Sequence, residues 1–138
     1  MEGRTFPPGC AGQRQLTALA VLLALSAMLP EPSSAQEAGS AARGKTIFES
    51  RCVACHSLDS HRVGPALGTV FGRKAGKAPE FAYSRALRAA SHVWDRDKLL
   101  AWLTNPEVVV PGQAMGYQVE TAGDRLDVVT YLASFSKK

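Results

Sequence analysis

Cysteine is scarce in this sequence, with only three residues among 138, and the excess of positive over negative charge is small. Cys52 and Cys55 lie too close together to staple distant segments, so a disulfide-stabilised scaffold is excluded. The 16 Lys and Arg are nearly balanced by 12 Asp and Glu, which excludes a disordered charged tail, and we expect no nucleic-acid partner. Internal repeats, low-complexity tracts and phosphate-binding glycine loops are absent. The length then predicts one small folded domain and excludes a multidomain enzyme.

One long apolar segment, residues 16–29, lies near the N-terminus. Two arginines precede it, and small residues at 33–35 follow it. Basic, apolar and small-residue segments in this order are typical of a secretory signal peptide. A membrane anchor is the alternative, but a spanning helix needs about 20 apolar residues and this run is shorter. We therefore expect a signal peptide over residues 1–35 and a domain over residues 36–138 that is exported to the bacterial periplasm without permanent membrane insertion.

The motif C-x-x-C-H occurs once, at Cys52, Cys55 and His56. This spacing is typical of a c-type haem attachment site, because residues three and four apart share one helix face and can present two thiols and one imidazole together. A thioredoxin-like redox motif would need a preceding βαβ pattern, which is absent. A zinc site would need further ligands, which only His61 and His92 offer. A pair of buried cysteines beside an exposed histidine is the remaining alternative.

A haem iron that carries electrons needs a sixth ligand. Met115 is the only thioether outside the predicted signal peptide, since Met1 and Met28 both lie within it. Met115 follows a Pro- and Gly-containing segment, residues 111–114, which predicts a turn able to wrap over the second haem face. A lone methionine that only fills a gap in the core is the alternative.

These motifs belong to a longer resemblance. From Gly44 to Leu132 the sequence resembles class I cytochrome c, the group of mitochondrial cytochrome c and bacterial cytochrome c2. The matching segments are residues 44–48 (GKTIF), 52–56 (CVACH), 64–67 (GPAL), 71–74 (FGRK), 78–83 (APEFAY), Trp94, 105–106 (NP), 111–115 (PGQAM) and 131–132 (YL). The resemblance implies a small all-α fold whose helices wrap round one haem c attached through Cys52 and Cys55.

The resemblance also implies roles for individual residues. His56 and Met115 match the proximal and distal iron ligands. The other implied cofactor-binding residues are Pro65, whose carbonyl orients the proximal histidine ring, and three residues near the haem propionates, Arg73, Tyr83 and Trp94.

Some positions depart from the mitochondrial pattern. Leu87 stands where asparagine is usual, so a polar contact near the propionates is expected to be missing. Gln113 and Ala114 replace a threonine and a lysine just before Met115. Trp102 stands where a pocket tyrosine is common, which removes a hydroxyl near the methionine sulfur.

Apolar spacing predicts three helices. One covers residues 41–52 and leads into the haem motif. A second runs from the cap Asp95 to Thr104, where Asn-Pro ends it, and a third begins at Thr121. Between residues 64 and 91, frequent Gly, Pro and Ala predict loops with at most one short helix.

The function implied is one-electron transfer by a monomeric haem protein that is not an enzyme. Its partners are then redox proteins, such as a cytochrome bc1-type reductase, a terminal oxidase, a reaction centre or a periplasmic dehydrogenase. A five-coordinate haem enzyme or gas-binding protein is one alternative, and a haem subunit held by a dehydrogenase is another. The basic residues expected near the docking face are Lys45, Arg62, Arg73, Lys74, Lys77 and Arg88.

Signal cleavage can be tested by intact-mass analysis of the purified holoprotein. We expect the mass of residues 36–138 plus one haem, because the segment before residue 36 directs export and is removed. Retention of residues 16–29 in the purified holoprotein would contradict the prediction.

Overall fold

The computed structural model describes Gly3 and residues 38–135, so the predicted signal peptide lies almost entirely outside the described residues. The pattern of contacts between residues divides the chain into two units, Met1–Ser34 and Ala35–Lys138. All the elements named here belong to the second unit.

Residues 38–135 fold into helices and loops. The helices are α1 (Ala41–Arg51), α2 (Arg85–Ala89), α3 (Arg96–Thr104), α4 (Pro106–Val109) and α5 (Ala122–Ala133). An isolated antiparallel bridge joins Lys74 to Val93, and no strand is present in this part of the chain. The all-α prediction is confirmed. No helix of the described part is long and apolar enough to cross a membrane.

The three predicted helices begin where a polar side chain can accept from a free backbone N–H. Asp95 Oδ1 accepts from Lys98 N at 2.8 Å, and Thr121 Oγ1 accepts from Asp124 N at 3.1 Å. Such caps satisfy donors that have no partner within the first helical turn. The short helix α2 is the single short helix allowed for residues 64–91.

Helix α4 is an addition to the predicted elements. Asn105 ends α3, yet its Oδ1 also accepts from Glu107 N at 3.1 Å and so caps a new turn. Pro106 suits the first position of that turn, because its missing N–H would have no helical partner there. The Asn-Pro pair therefore restarts the helix in a new direction, directly before the loop that carries Met115.

Helices α1 and α5 cross at very short distance. A Cβ atom at Gly44 would overlap the carbonyl oxygen of Asp127 and approach the Tyr131 side chain. One turn further along α1, the Phe48 and Tyr131 rings lie with centroids 5.6 Å apart. The absence of a side chain at Gly44 thus allows the backbones to meet and brings the end of α1 onto the core.

A buried carboxylate fastens the start of α1 to α5. Asp127 is only 4% exposed and accepts from Ser40 N at 2.6 Å and from Arg43 Nε and Nη2 at 2.6 and 3.0 Å. The hydrogen bond from the Arg43 guanidinium is the largest cause that lowers the pKa of the Asp127 carboxyl below its ordinary value. The ionised form is therefore the one that holds the two helices together.

Between α1 and α3, the loops on either side of the short helix α2 are held by individual hydrogen bonds. Gly72 N donates to Trp94 O at 2.8 Å, and Trp94 N donates to Arg73 O at 2.9 Å. Elsewhere His61 contacts Pro79 O through Nε2 at 2.7 Å, and its Nδ1 accepts from Ala66 N at 2.9 Å. These contacts place Arg73 beside Trp94 and tie the loop after the C-x-x-C-H motif to the segment before Tyr83.

Replacing Asp127 with Asn should lower the free energy of unfolding at pH 7 by roughly 1–3 kcal/mol, because a neutral amide cannot form the charge-assisted hydrogen bonds that the buried carboxylate accepts. The folded-state pKa is depressed, so this stabilisation is present above the ordinary pKa of 3.8 and is lost as pH falls through the folded value. Urea unfolding at pH 7 and pH 3 measures the difference.

The matched control is Asp124→Asn on the same helix, where the carboxylate forms a more exposed ion pair with Arg51 at 3.0 Å. Exposed pairs contribute little, so its effect should be smaller. Equal losses in the two variants, or a gap between Asp127→Asn and the parent that does not shrink between pH 7 and pH 3, would contradict the assignment.

Candidate cofactor cavity

A cavity of about 350 Å³ opens between the end of α1, helix α3, helix α5 and the loops. All eight residues implied by the sequence as cofactor-binding lie on its wall. They are Cys52, Cys55, His56, Pro65, Arg73, Tyr83, Trp94 and Met115. The rest of the wall is mainly apolar, with contributions from Phe48, Leu67, Val70, Leu87, Leu99, Leu103, Val128 and Leu132. A flat, mostly apolar cofactor with a few polar groups fits such a lining.

The two thiols follow α1 on a turn rather than within a helix. The helix ends at Arg51, and the backbone N–H groups of Cys55 and His56 donate to Cys52 O at 3.1 and 2.8 Å. This turn keeps the thiols and the imidazole on one wall, as the spacing predicts. Burial raises the pKa of the Cys52 thiol above its ordinary value, while Cys55 is exposed.

The His56 ring is held on two sides. Its Nδ1 lies 2.9 Å from Pro65 O, and because a carbonyl can only accept, Nδ1 carries the proton. A Cβ atom on Gly64 would overlap the imidazole, so a glycine is required against the ring. The proton on Nδ1 leaves Nε2 with a free lone pair, which is the form that binds a metal.

The sulfur of Met115 accepts a hydrogen bond. Trp102 Nε1 donates to Met115 Sδ at 3.1 Å, and both side chains line the cavity. The sequence predicts the loss of a hydroxyl near the sulfur at this position, and in the structure the indole N–H of Trp102 supplies a donor instead. The residue type at position 102 alone does not reveal this contact, because the contact depends on how α3 faces the loop that carries Met115.

Arg73, Tyr83 and Trp94 all line the cavity, and a backbone hydrogen bond holds Arg73 next to Trp94. Tyr83 and Trp94 are buried, and the Tyr83 hydroxyl accepts from Ala78 N at 3.3 Å. Arg73 donates to Thr69 Oγ1 at 2.9 Å and to Ala66 O at 3.1 Å, whereas its buried Nε has no partner in the described structure. A buried guanidinium nitrogen without a partner fits a carboxylate-bearing cofactor.

The donor set of the cavity fits a c-type haem. It offers two free thiols, one imidazole nitrogen, one thioether and two arginine side chains, Arg51 and Arg73, in largely apolar surroundings. No group of three or more His, Cys, Asp or Glu side chains within residues 38–135 is placed to hold a metal ion. His61 contacts Pro79 and Ala66 instead, so the described residues do not form the zinc site considered for the Cys pair.

The exposed part of the cavity wall is largely apolar. Val63 is 79% exposed and Tyr117 is 43% exposed, and Ala114, next to Met115 in the chain, is also exposed and lines the cavity. The wall also includes Arg51, which pairs with Asp124.

The six basic residues expected near a docking face have different surroundings. Arg73 is the one of the six that lines the cavity. Lys45 pairs with Glu49 on α1, and Arg62, next to Val63 of the wall, donates to Val53 O at 2.7 Å. Their part in docking stays a prediction.

Comparisons with known proteins agree with this description. A family model described as cytochrome c matches residues 41–136. The chain is 42% identical over 97 residues to a cytochrome c from Euglena viridis, covering 68% of this chain and 95% of the relative. A cytochrome c from Tetrahymena pyriformis is 39% identical over 106 residues, with 75% and 96% covered. The structure of cytochrome cH from Methylobacterium extorquens matches with a TM-score of 0.66 at 37% identity, covering 70% of this chain and 99% of that one.

Proposed function

The chain belongs to the cytochrome c family and is a monohaem electron carrier with haem c bound through Cys52 and Cys55, and we propose that His56 and Met115 are its iron ligands. The observation that supports the proposal is that both side chains line the cavity of the two thiols and that each is held by a hydrogen bond. When bound, the haem supplies an iron that alternates between ferric and ferrous states.

The two ligand side chains are prepared in different ways. Pro65 O accepts from His56 Nδ1 and so fixes the ring orientation and the tautomer whose Nε2 lone pair is available to the iron. Trp102 directs its N–H at the Met115 sulfur, which limits rotation of a side chain that is otherwise flexible. Ligands that stay in place when the electron arrives keep the structural change on transfer small, which suits a carrier.

The cavity wall at Arg73 is proposed to hold the propionates. The free Nε of Arg73 offers a charge-assisted hydrogen bond to a carboxylate. Tyr83 and Trp94 also line the cavity and are buried, and we propose that they limit the access of water to the propionates. Less water around a charged group strengthens the local electrostatic interaction.

An open haem site, as in an enzyme or a gas-binding protein, would require Met115 to serve only in packing. The contact between Trp102 and the Met115 sulfur at the cavity wall favours ligation instead. We therefore propose electron transfer without catalysis. We also propose that the protein acts as a free monomer.

Partners are proposed to be redox proteins that meet the exposed wall of the cavity, where Val63, Ala114 and Tyr117 lie. Such a wall favours apolar contact, and the formal charge of +4 over the full sequence adds modest steering toward acidic surfaces. The reductase, oxidase, reaction-centre and dehydrogenase classes all remain within this proposal. Export to the periplasm is proposed from the N-terminal pattern alone.

Met115→Ala should leave the haem attached but remove sulfur coordination, because Cys52 and Cys55 are untouched. The reduction potential should fall, since a soft thioether favours the ferrous state, and small ligands should bind the iron. Visible and near-infrared absorption of the ferric protein and a redox titration measure both effects. A parent-like spectrum and potential would show that Met115 is not the ligand.

Trp102→Phe should lower the reduction potential by roughly 20–40 mV, the equivalent of one weak hydrogen bond. The N–H draws electron density from the sulfur, so its loss lets the sulfur donate more to ferric iron. Trp102→Tyr restores a donor and serves as the matched control, with a potential closer to that of the parent. If the Phe and Tyr variants shift the potential equally, the indole N–H has no such effect.

A further inference from the structure

The loop that carries Met115 begins with a tight turn. Val110 is buried, Gln113 N donates to Val110 O at 3.2 Å, and Gly112 has φ of +82°. A turn with proline second and a positive-φ residue third needs glycine at the third position, because other residues are strained there. The chain therefore reverses after α4, and Gln113 returns toward Glu107.

A chain of hydrogen bonds connects α4 to the backbone of Met115. Glu107 Oε1 accepts from Gly112 N at 2.8 Å, and Glu107 Oε2 is 3.4 Å from Gln113 Nε2. Gln113 Oε1 in turn accepts from Met115 N. Both carboxylate oxygens of the exposed Glu107 and both ends of the Gln113 amide are thus used.

The two ends of the same loop are buried, whereas its middle is exposed. Val110 is buried at one end, and at the other Val119 is 1% exposed and its N donates to Leu103 O at 2.8 Å. Between them, Tyr117 and its neighbours Gly116 and Gln118 are exposed. The middle of the loop therefore depends on side-chain contacts. The contacts of Glu107 and Gln113 lead to the backbone N–H of Met115, the residue that carries the sulfur.

We propose that Glu107 and Gln113, together called the loop latch, are positioning residues that keep Met115 at the iron and external ligands away from it. An external ligand can take the place of Met115 only if the loop moves outward. That movement breaks the hydrogen bonds of the loop latch, so the latch disfavours exchange. This inference rests on the proposed ligation by His56 and Met115.

The test measures how tightly imidazole binds to the ferric holoprotein of the parent, of Glu107→Ala, of Gln113→Ala and of the double variant. Visible absorption monitors the binding. Each single variant should bind imidazole about three to ten times more tightly than the parent, because one or two modest hydrogen bonds no longer oppose loop movement. The double variant should show less than the sum of the two effects, because the residues act through one chain of contacts.

Glu49→Ala is the matched control, since it removes the same charge from the exposed surface of α1. It should bind imidazole as the parent does. The near-infrared signature of sulfur coordination, recorded without imidazole, is a second readout that general destabilisation of the helices would not change at temperatures well below unfolding.

Each outcome supports or overturns the loop latch. Parent-like binding within twofold in both single variants, with much tighter binding in Met115→Ala, would reject the latch and leave the ligation intact. Equal gains in Glu49→Ala and Glu107→Ala would also reject it, because the cause would then be net charge. If Met115→Ala itself binds imidazole no more tightly than the parent, the ligation by Met115 fails first.

Discussion

The close crossing of α1 and α5 is the constraint on which the cavity depends. Gly44 lets the backbones meet, and Asp127 fastens the start of α1 through Ser40 and Arg43. Because α1 ends at Arg51 and the thiols follow on the next turn, the place where the helices cross determines where Cys52 and His56 lie. A shift of α1 along α5 would move both thiols relative to the rest of the wall.

The remaining wall comes from segments with little regular structure, which are held by individual hydrogen bonds. His61 joins two loops, backbone contacts around Trp94 place Arg73, and Glu107 reaches the Met115 loop through Gln113. Such loops suit a site that must enclose a flat cofactor, because a regular helix on every side would not follow its edge.

Much of the fold could be predicted from local signals. The caps Asp95 and Thr121 begin their helices as the sequence predicts, because side-chain capping acts within a few residues. The one-turn helix α4 was not expected, since Asn105 both ends one helix and starts another. The contact of Trp102 with Met115 was missed for a different reason. It joins two elements, and a substitution of tyrosine by tryptophan does not by itself say where the N–H points.

The sequence by itself determined the chemistry and the family. C-x-x-C-H is a local pattern whose meaning survives without coordinates, and it identified the covalent haem c that membership of the cytochrome c family bears out. Only the tertiary structure decided which polar groups meet. The resemblance already implies the contact of Pro65 with His56, whereas the donor on the Met115 sulfur and the contacts of Glu107 arise between residues that a turn or a longer stretch of chain separates. The free Nε of Arg73 likewise follows from packing. The pairing of such groups depends on packing, which no local pattern encodes.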